Sequence, residues 1–311
     1  MSAFEDHFRA NGTPPARIFI AIDGLDEHWD ISEPSLFFLA ELLAATNVFT
    51  ATYSASIQFI ICLRDNIFRT LVDTKSIEYD KIESLIINLE WNSNSLFELI
   101  ARRVSPTQKI ENAVAELKAL LPESIKETYI EEYLGRNLLQ RPRDYINFFR
   151  MLQKECGQNA RAGEGHVEDT VSKYSSNRLI DLENEFGLIY PGISKCISAI
   201  HTLPDTFRKE QLLEILNKLC LKPSFRSEVP DLIANYGQPI VLARILMSIG
   251  VIGAYNPDTH TIRFVHEFSE SRVNVLWETT EVLGFHPVYR TKRVAPKHIL
   301  NVYKEPEIIG K

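Results

Sequence analysis

The feature that most constrains this sequence is an apolar run that ends in three carboxylates. Residues 17–22 have the sequence Arg-Ile-Phe-Ile-Ala-Ile, and Asp23, Asp26 and Glu27 follow around Gly24. A short, isoleucine-rich run is typical of a strand buried in a parallel sheet. Open α/β sheets bind ligands at the carboxyl ends of their strands, so Asp23 is predicted at a ligand-binding edge. A second interpretation stays open, in which Asp23 and Gly24 form a strand-ending turn and the other two acids are solvated.

Length and composition predict a folded protein of about two domains. The chain has 311 residues, of which 45% are hydrophobic and 24% are charged. The net charge of −7 argues against a protein that binds nucleic acid mainly by charge. The four cysteines lie far apart in sequence, which favours free thiols in a reducing compartment over a disulfide set or a zinc site.

The sequence also predicts a cytoplasmic protein that makes no membrane contact. The first 17 residues are polar and mixed in charge, unlike a signal peptide. Membrane-spanning helices need about 18 or more consecutive apolar residues, and no run in this sequence approaches that length.

Two further apolar runs, residues 58–64 and 83–89, predict additional buried strands. Between the first two strands, Ser32 and Pro34 are start signals for a helix. Strand, helix and strand then form a βαβ unit. Arg64 ends the second strand at the level where Asp23 ends the first. An alternative role for Arg64 is simply to pair with Asp65 or Asp23.

Residues 105–188 have a mainly helical pattern. Its most distinctive segment is Arg-Pro-Arg-Asp at residues 141–144, followed by apolar residues at helical spacing. Pro142 suits the first turn of a helix, and Asp144 suits its positive end. A second interpretation stays open, in which the segment has no ligand-binding role and is an ordinary helix start with surface arginines.

The C-terminal part has the element order of a winged helix. Three helices are predicted between residues 205 and 250, followed by strands at 251–255 and 261–265. A DNA-reading helix would carry basic and amide side chains, but the third predicted helix has one charge, Arg244. A structural or protein-contact role is therefore favoured over DNA reading. A basic cluster at residues 290–297 is either a solvated tail or a contact for nucleic acid or an acidic partner.

Two of these motifs resemble those of STAND-type P-loop ATPases, the NACHT-like and related bacterial proteins. Residues 23–27 resemble their Walker B segment, which implies that Asp23 holds Mg²⁺ and that Asp26 and Glu27 act on the attacking water. Arg64 stands where that family senses the γ-phosphate of ATP. The turn at 141–144 resembles the nucleotide-contacting turn of the family's lid, which implies that Pro142 and Arg143 contact ATP.

The resemblance implies an α/β partial P-loop NTPase sheet followed by an all-helical lid and a C-terminal winged helix. The corresponding ranges are 1–104 for the core, 105–188 for the lid, 189–289 for the winged helix and 290–311 for the tail. A Walker A loop, which holds the phosphates of ATP, is absent from the sequence.

The expected function is therefore a nucleotide-dependent switch or scaffold, in signalling or antiphage defence, that does not hydrolyse ATP by itself. The incomplete sheet is expected to drive self-association or to recruit a partner chain. The alternative is a DNA-associated winged-helix regulator.

Overall fold

The computed structural model describes residues 18–26, 32–52, 57–74, 76–107, 109–157, 161–264 and 273–290. The contacts within the chain divide it into two compact units between Leu89 and Glu90. Unit 1 denotes the described residues before this boundary and unit 2 those after it. Each unit is described by itself.

Unit 1 contains a parallel pair of strands with helices around it. Its elements are β1 (Ile18–Ile22), α1 (Glu33–Thr52), β2 (Ile57–Ile61), α2 (Asp65–Asp73), α3 (Tyr79–Ile82) and a 3₁₀ turn (Glu83–Leu85). β1 pairs with β2 in register, from Ile18 opposite Ile57 to Ile22 opposite Ile61. The Ser35 amide donates to the Ser32 hydroxyl at 3.4 Å, so Ser32 caps α1 as its sequence position predicts.

Unit 1 buries little apolar surface. Its core cluster consists of Leu39, Ile67 and Leu71, with a few half-buried residues against it. Large apolar side chains are exposed on both strands and on α1: Phe19 (58%), Ile60 (48%), Phe37 (67%), Phe38 (60%) and Val48 (67%). A parallel sheet normally has both faces covered by other elements, whereas this strand pair leaves large apolar side chains exposed.

Helix α1 is apolar around most of its circumference. By length and composition alone it is long and apolar enough to cross a membrane, and only 11% of its most apolar window is buried. A core helix of a protein without membrane contact passes the same test, so this finding does not distinguish a membrane from a protein partner.

The predicted partial P-loop sheet is wrong. The described residues form sheets of two, two and four strands, and most of the chain is helical. The predicted third strand at 83–89 is instead a 3₁₀ turn followed by chain outside any strand, where Ile87 and Leu89 are 85% and 84% exposed. An apolar run forms a strand only if a neighbouring strand pairs with it, and this run has no such neighbour within the described part of unit 1.

Unit 2 is mainly helical. Its helices are α4 (Ser93–Val104), α5 (Ile110–Ala119), α6 (Ile130–Asn137), α7 (Pro142–Cys156), α8 (Glu164–Phe186), α9 (Ile193–Ile200), α10 (Lys209–Leu221), α11 (Pro223–Glu228), α12 (Pro230–Tyr236), α13 (Pro239–Ser248) and α14 (Val273–Thr279). Its strands are β3 (Ser124–Ile125), β4 (Thr128–Tyr129), β5 (Thr206–Arg208), β6 (Ile252–Asn256), β7 (Thr261–Arg263) and β8 (Val282–Phe285). A 3₁₀ turn (Pro287–Tyr289) follows β8.

One apolar cluster runs through unit 2 from Leu96 to Tyr289. Local signals set where its helices start. α4 begins with a capping box in which the Ser95 amide donates to Asn92 Oδ1 at 2.9 Å and the Asn92 amide donates to the Ser95 hydroxyl at 3.0 Å. Proline occupies the first turn of α7, as predicted at Pro142.

The predicted winged helix is also wrong. The two predicted strands form the hairpin β6–β7, but this hairpin belongs to a four-stranded sheet in the order β5-β8-β6-β7. β8 lies between β5 and β6, with Gly284 opposite both Thr206 and Gly253. A side chain at Gly284 would collide with Ile262, since an added Cβ would lie 2.3 Å from its Cδ1. The hydrophobic pattern indicates strands but not these pairings between distant parts of the chain.

The continuous core of unit 2 leads to a stability prediction. Leu134→Ala removes a fully buried side chain of α6 and should lower the free energy of unfolding by about 2–5 kcal/mol. Leu120→Ala makes the same change at a side chain that is 45% exposed and should change it by roughly 0.5 kcal/mol or less. Urea unfolding followed by circular dichroism measures both, and equal losses in the two variants would contradict the assignment of the core.

Candidate functional site

The carboxyl edge of the β1–β2 pair brings two of the predicted site residues together. The Cys62 amide donates to the Ile22 carbonyl at 2.9 Å, which extends the pairing to the point where the strands end. Just beyond, Arg64 Nε lies 2.5 Å from Asp26 Oδ2, with side-chain exposures of 47% and 23%. Arg64 therefore pairs with an acid that follows the other strand.

The contact of Arg64 differs from the alternatives that its sequence position left open. Those alternatives were Asp65 and Asp23, whereas the ion pair forms with Asp26. Asp65 pairs within α2 with Arg69, whose Nε is 2.7 Å away. An exposed ion pair contributes at most about 1 kcal/mol to stability, so the Asp26–Arg64 pair is not what holds unit 1 together.

Asp23 forms the turn that ends β1. The Gly24 amide donates to Asp23 Oδ1 at 2.8 Å, and Gly24 has a φ of 77°, which residues other than glycine rarely adopt. The strand-ending turn is thus present, and the Asp23 side chain is exposed. The remaining predicted catalytic residue, Glu27, lies outside the described residues.

The acids of this edge fit one part of a Mg²⁺–nucleotide site. Mg²⁺ is commonly held by one or two carboxylates together with phosphate oxygens and water, and Asp23 with Asp26 offers such carboxylates. Nowhere in the described ranges do three histidine, cysteine, aspartate or glutamate side chains cluster closely enough to hold a metal ion by themselves. The phosphates would therefore have to be held by groups from elsewhere.

The other two predicted nucleotide-contacting residues lie in unit 2. Pro142 is the first residue of α7, and Arg143 follows it with an exposed side chain. This is the ordinary helix start that the sequence left open as an alternative. The next residue, Asp144, is 4% exposed.

Asp144 belongs to a buried polar network that the sequence analysis missed. The Tyr174 hydroxyl, on α8, donates to Asp144 Oδ1 at 2.8 Å, and the Leu139 amide donates to the Tyr174 oxygen at 3.4 Å. Arg178, one helical turn further along α8, has its Nε 3.6 Å from Asp144 Oδ1. The first turn of α7 is thereby held against the face of α8.

Arg178 is the hub of this network, with an 11% exposed side chain. It donates to Asp181 Oδ2 at 3.1 Å and to Glu185 Oε2 at 3.4 Å, and Glu185 also accepts from Arg141 at 3.5 Å. Burial alone would lower the pKa of the guanidinium, but the charges around it, that of Asp144 foremost, raise this pKa above its ordinary value. Arg178 is thus held in its charged form.

A helical spacing in the sequence could have revealed the network. Tyr174, Arg178, Asp181 and Glu185 are separated by four, three and four residues, so they share one face of α8. A charged helix face is usually solvated, so the charged pattern in the sequence does not indicate that Arg178 is buried. Burial raises the pKa of the Tyr174 hydroxyl above its usual range, and the Asp144 carboxylate adds to this shift.

His201 lies beside the 3₁₀ turn at 287–289 in space, although the two are far apart in sequence. His201 Nε2 is 2.8 Å from the Tyr289 carbonyl oxygen, which requires the ring nitrogen to carry a proton and donate it. Burial lowers the pKa of His201, and the nearby Arg290 charge lowers it further, against the opposing effect of the hydrogen bond. His201 is therefore neutral in the folded protein near pH 7.

Comparison with known proteins gives two matches. The family model of the FunZ-associated C-terminal helical domain matches residues 94–183, which form the region from α4 to α8. The putative transposon gamma-delta 80.3 kDa protein of Escherichia coli (strain K12) is 26% identical over 299 residues, covering 88% of this chain. The match covers 39% of that protein, so this chain spans about two fifths of its relative's length. No solved structure matches.

The lowered pKa of His201 predicts a pH-dependent stability. Because the unfolded chain binds the proton more readily than the folded one, stability should be full above the unfolded pKa of about 6.5 and should fall as the pH drops below it. His201→Gln keeps an N–H donor but cannot titrate, so it should flatten this dependence. Unfolding in urea at about pH 7.5 and about pH 5.5 tests it. An identical pH dependence in both proteins would contradict the assignment.

Proposed function

We propose that this chain is a nucleotide-dependent switch or scaffold component of a larger assembly. In this proposal a second polypeptide completes unit 1, and Mg²⁺–ATP binds at the edge that carries Asp23, Asp26 and Arg64. The observation that supports it is the ion pair between Asp26 and Arg64 at the carboxyl edge of a parallel strand pair that keeps large apolar side chains exposed. The proposed location is the cytoplasm.

The exposure of unit 1 supports a protein partner. Two parallel strands alone are marginally stable in water, and parallel strands normally lie within sheets covered on both faces. Phe19 of β1 and Phe38 of α1 are each about 60% exposed, and Ile87 and Leu89, which follow the strands in sequence, are exposed as well. A concentration of large exposed apolar side chains is typical of interaction sites. The partner we propose is a polypeptide that contributes an apolar strand and covers α1.

The proposed chemistry assigns a limited role to each residue of this chain. Mg²⁺, when bound, would supply positive charge that offsets the charge of the phosphates. Asp23 would be its carboxylate ligand, and Arg64 would face the terminal phosphate while Asp26 fixes the position of its guanidinium. Because this chain has no Walker A loop, backbone amides for the phosphates would come from the partner, and the chain alone would not hydrolyse ATP.

Unit 2 is proposed to be the part that transmits or supports the switch. The match of residues 94–183 to a helical domain model is compatible with a separate helical module. A role in signalling or antiphage defence is part of the proposal through the resemblance of residues 23–27 and 141–144 alone.

Nucleic-acid binding is not favoured as a second function. Five consecutive or near-consecutive residues of α13 are buried: Leu242, Ala243, Ile245, Leu246 and Met247. The one charge of that helix, Arg244, donates to Glu278 at 2.8 Å. Because these side chains of α13 are buried or paired, few of them are available to read base edges.

A fluorescent ATP analogue tests the proposed site. The full chain should bind mant-ATP weakly and only when Mg²⁺ is present, because Asp23 is proposed to bind the metal ion and not the adenine base. Asp23→Asn removes the ligand charge and should reduce binding by about tenfold or more, which corresponds to about 1.4 kcal/mol. Fluorescence anisotropy measures the affinity, and phosphate release should stay at background.

A matched variant keeps this test specific. Asp258→Asn makes the same change at an exposed aspartate of the β6–β7 turn and should leave mant-ATP affinity unchanged. Binding that is independent of Mg²⁺, or equal losses in the two variants, would refute the proposed site. ATP turnover that disappears in Asp23→Asn would refute the claim that the chain alone is inactive.

The exposed surface of unit 1 predicts self-association of the isolated chain. Without its partner, the chain should form concentration-dependent oligomers, and Phe19→Ser with Phe38→Ser should reduce them by removing apolar surface. Leu188→Ser changes a 76% exposed side chain of unit 2 and serves as the control. Light scattering coupled to size-exclusion chromatography measures the mass of each protein.

Two results would overturn the proposal of a protein partner. A monomer at every concentration, with a sharp cooperative melt, would mean that unit 1 is complete by itself. Flotation of the wild-type chain with lipid vesicles, lost in the double serine variant, would assign the surface of α1 to a membrane instead.

A further inference from the structure

The outward face of α7 carries positive charge and no negative charge. Arg143, Asn147, Arg150 and Lys154 are exposed and follow one another at spacings of four, three and four residues. At about 100° per residue, these positions lie within a sector of about 60° around the helix axis. We call these four residues the basic face. The buried residues of α7 lie on the opposite side of the helix: Asp144, Tyr145, Phe148 and Leu152.

Both acids of α7 contact α8 and do not balance this charge. Asp144 Oδ1 accepts the hydrogen bond from the Tyr174 hydroxyl at 2.8 Å. Glu155 Oε1 lies 2.6 Å from Lys173 Nζ. The charges of α7 are therefore separated, with its acids paired toward α8 and its cations exposed on the basic face.

The cations of the basic face have no comparable partners. Arg143, Arg150 and Lys154 form no ion pair with an acid in the described part of the chain. Arg150 and Lys154 are like charges four residues apart, a spacing that destabilises a helix. Arg143 lies in the first turn of α7, where the helix dipole also disfavours positive charge. Negative charge bound along the basic face would relieve both unfavourable placements.

A helix face that only contacts water usually has a different charge pattern. Such faces mix both signs, so that acids and bases balance one another along the helix. Helix α6 shows this pattern, because Glu132 pairs with Arg136 and Glu131 pairs with Lys118 of α5. A face with one sign of charge is instead typical of a surface that binds a partner of the opposite sign.

We propose that the basic face of α7 binds an acidic helical segment of a partner protein. Its first and last charges are 11 residues apart, which is about 16–17 Å along the helix axis. A partner helix with carboxylates spaced by four, three and four residues presents a row of matching length. The guanidinium groups of Arg143 and Arg150 can each bind a carboxylate through two hydrogen bonds. This contact lies in unit 2 and does not depend on the nucleotide site proposed for unit 1.

Nucleic acid fits the basic face less well than an acidic helix does. A nucleic-acid strand carries closely spaced charges over a long distance and would extend beyond these four residues. The chain as a whole has a net charge of −7, whereas domains that bind nucleic acid by charge are usually basic. Duplex DNA is therefore the competing ligand in the experiment.

Two synthetic peptides of the same composition test this contact with the full chain. Both are alanine-rich, carry four glutamates and are about 18 residues long, which is enough to form a helix in water. In the first peptide the glutamates are spaced by four, three and four residues, and in the second they point to all sides of the helix. Fluorescence anisotropy of the dye-labelled peptides measures both affinities. The first peptide should bind about fivefold more tightly or better, and added salt should weaken its binding.

Paired substitutions locate the binding. Arg150→Gln with Lys154→Gln should reduce the affinity for the first peptide by about tenfold or more. Lys195→Gln with Lys218→Gln removes the same charge from exposed positions on α9 and α10 and should change the affinity by less than about twofold. Arg150→Lys with Lys154→Arg keeps both charges and should retain most of the affinity. Arg143 stays unchanged in every variant, because its predicted contact with ATP is a separate question.

Three results would overturn the inference. Equal binding of the two peptides, or binding of neither, would show that the basic face does not recognise an acidic helix. Equal losses in the two glutamine variants would show that only net charge matters. Tighter binding of a DNA duplex of about 20 base pairs, which displaces the peptide and is lost in Arg150→Gln with Lys154→Gln, would assign the face to nucleic acid.

Discussion

The burial of apolar surface is the constraint on which the rest of this molecule depends. Unit 2 meets it within itself, since one cluster extends from Leu96 to Tyr289. Unit 1 does not meet it, since its core consists of three buried residues while aromatic side chains of β1 and α1 are exposed. Because apolar burial is the main favourable term in folding, the two units should differ in stability. The exposed apolar side chains of unit 1 also support the proposal that unit 1 binds a partner chain.

Unit 2 adds a polar interaction to its apolar core. Charges buried as a network are expensive to desolvate and add little net stability, but they favour one arrangement of the elements that bear them. Arg178 links the first turn of α7, through Asp144, to the last turns of α8, through Glu185. Asp144 is held inside by this network, whereas the neighbouring Arg143 is exposed.

Sequence reasoning identified local elements and failed on their partners. It identified β1, α1 and β2, because isoleucine runs and the Ser32 cap are local signals, although β2 ends at Ile61 and not at residue 64. It predicted Arg64 and Asp23 at one edge, where Arg64 pairs with Asp26. It predicted a strand at 83–89 because an apolar run does not reveal whether a neighbouring strand exists. It missed β8, whose four residues pair with strands distant in sequence, and it missed the buried role of Arg178, which looks like a surface charge. The roles of Pro142 and Arg143 toward ATP stay predictions.

Hydrogen exchange of the isolated chain tests the central claim most directly, because it measures the protection of each unit in the same sample. If unit 1 is incomplete without a partner chain, the backbone amides of β1 and β2 should exchange roughly 100-fold or more faster than those of α4, α6 and α8. Equal protection of the strands and these helices would contradict the account, since it would mean that the exposed parallel pair is stable without any further chain.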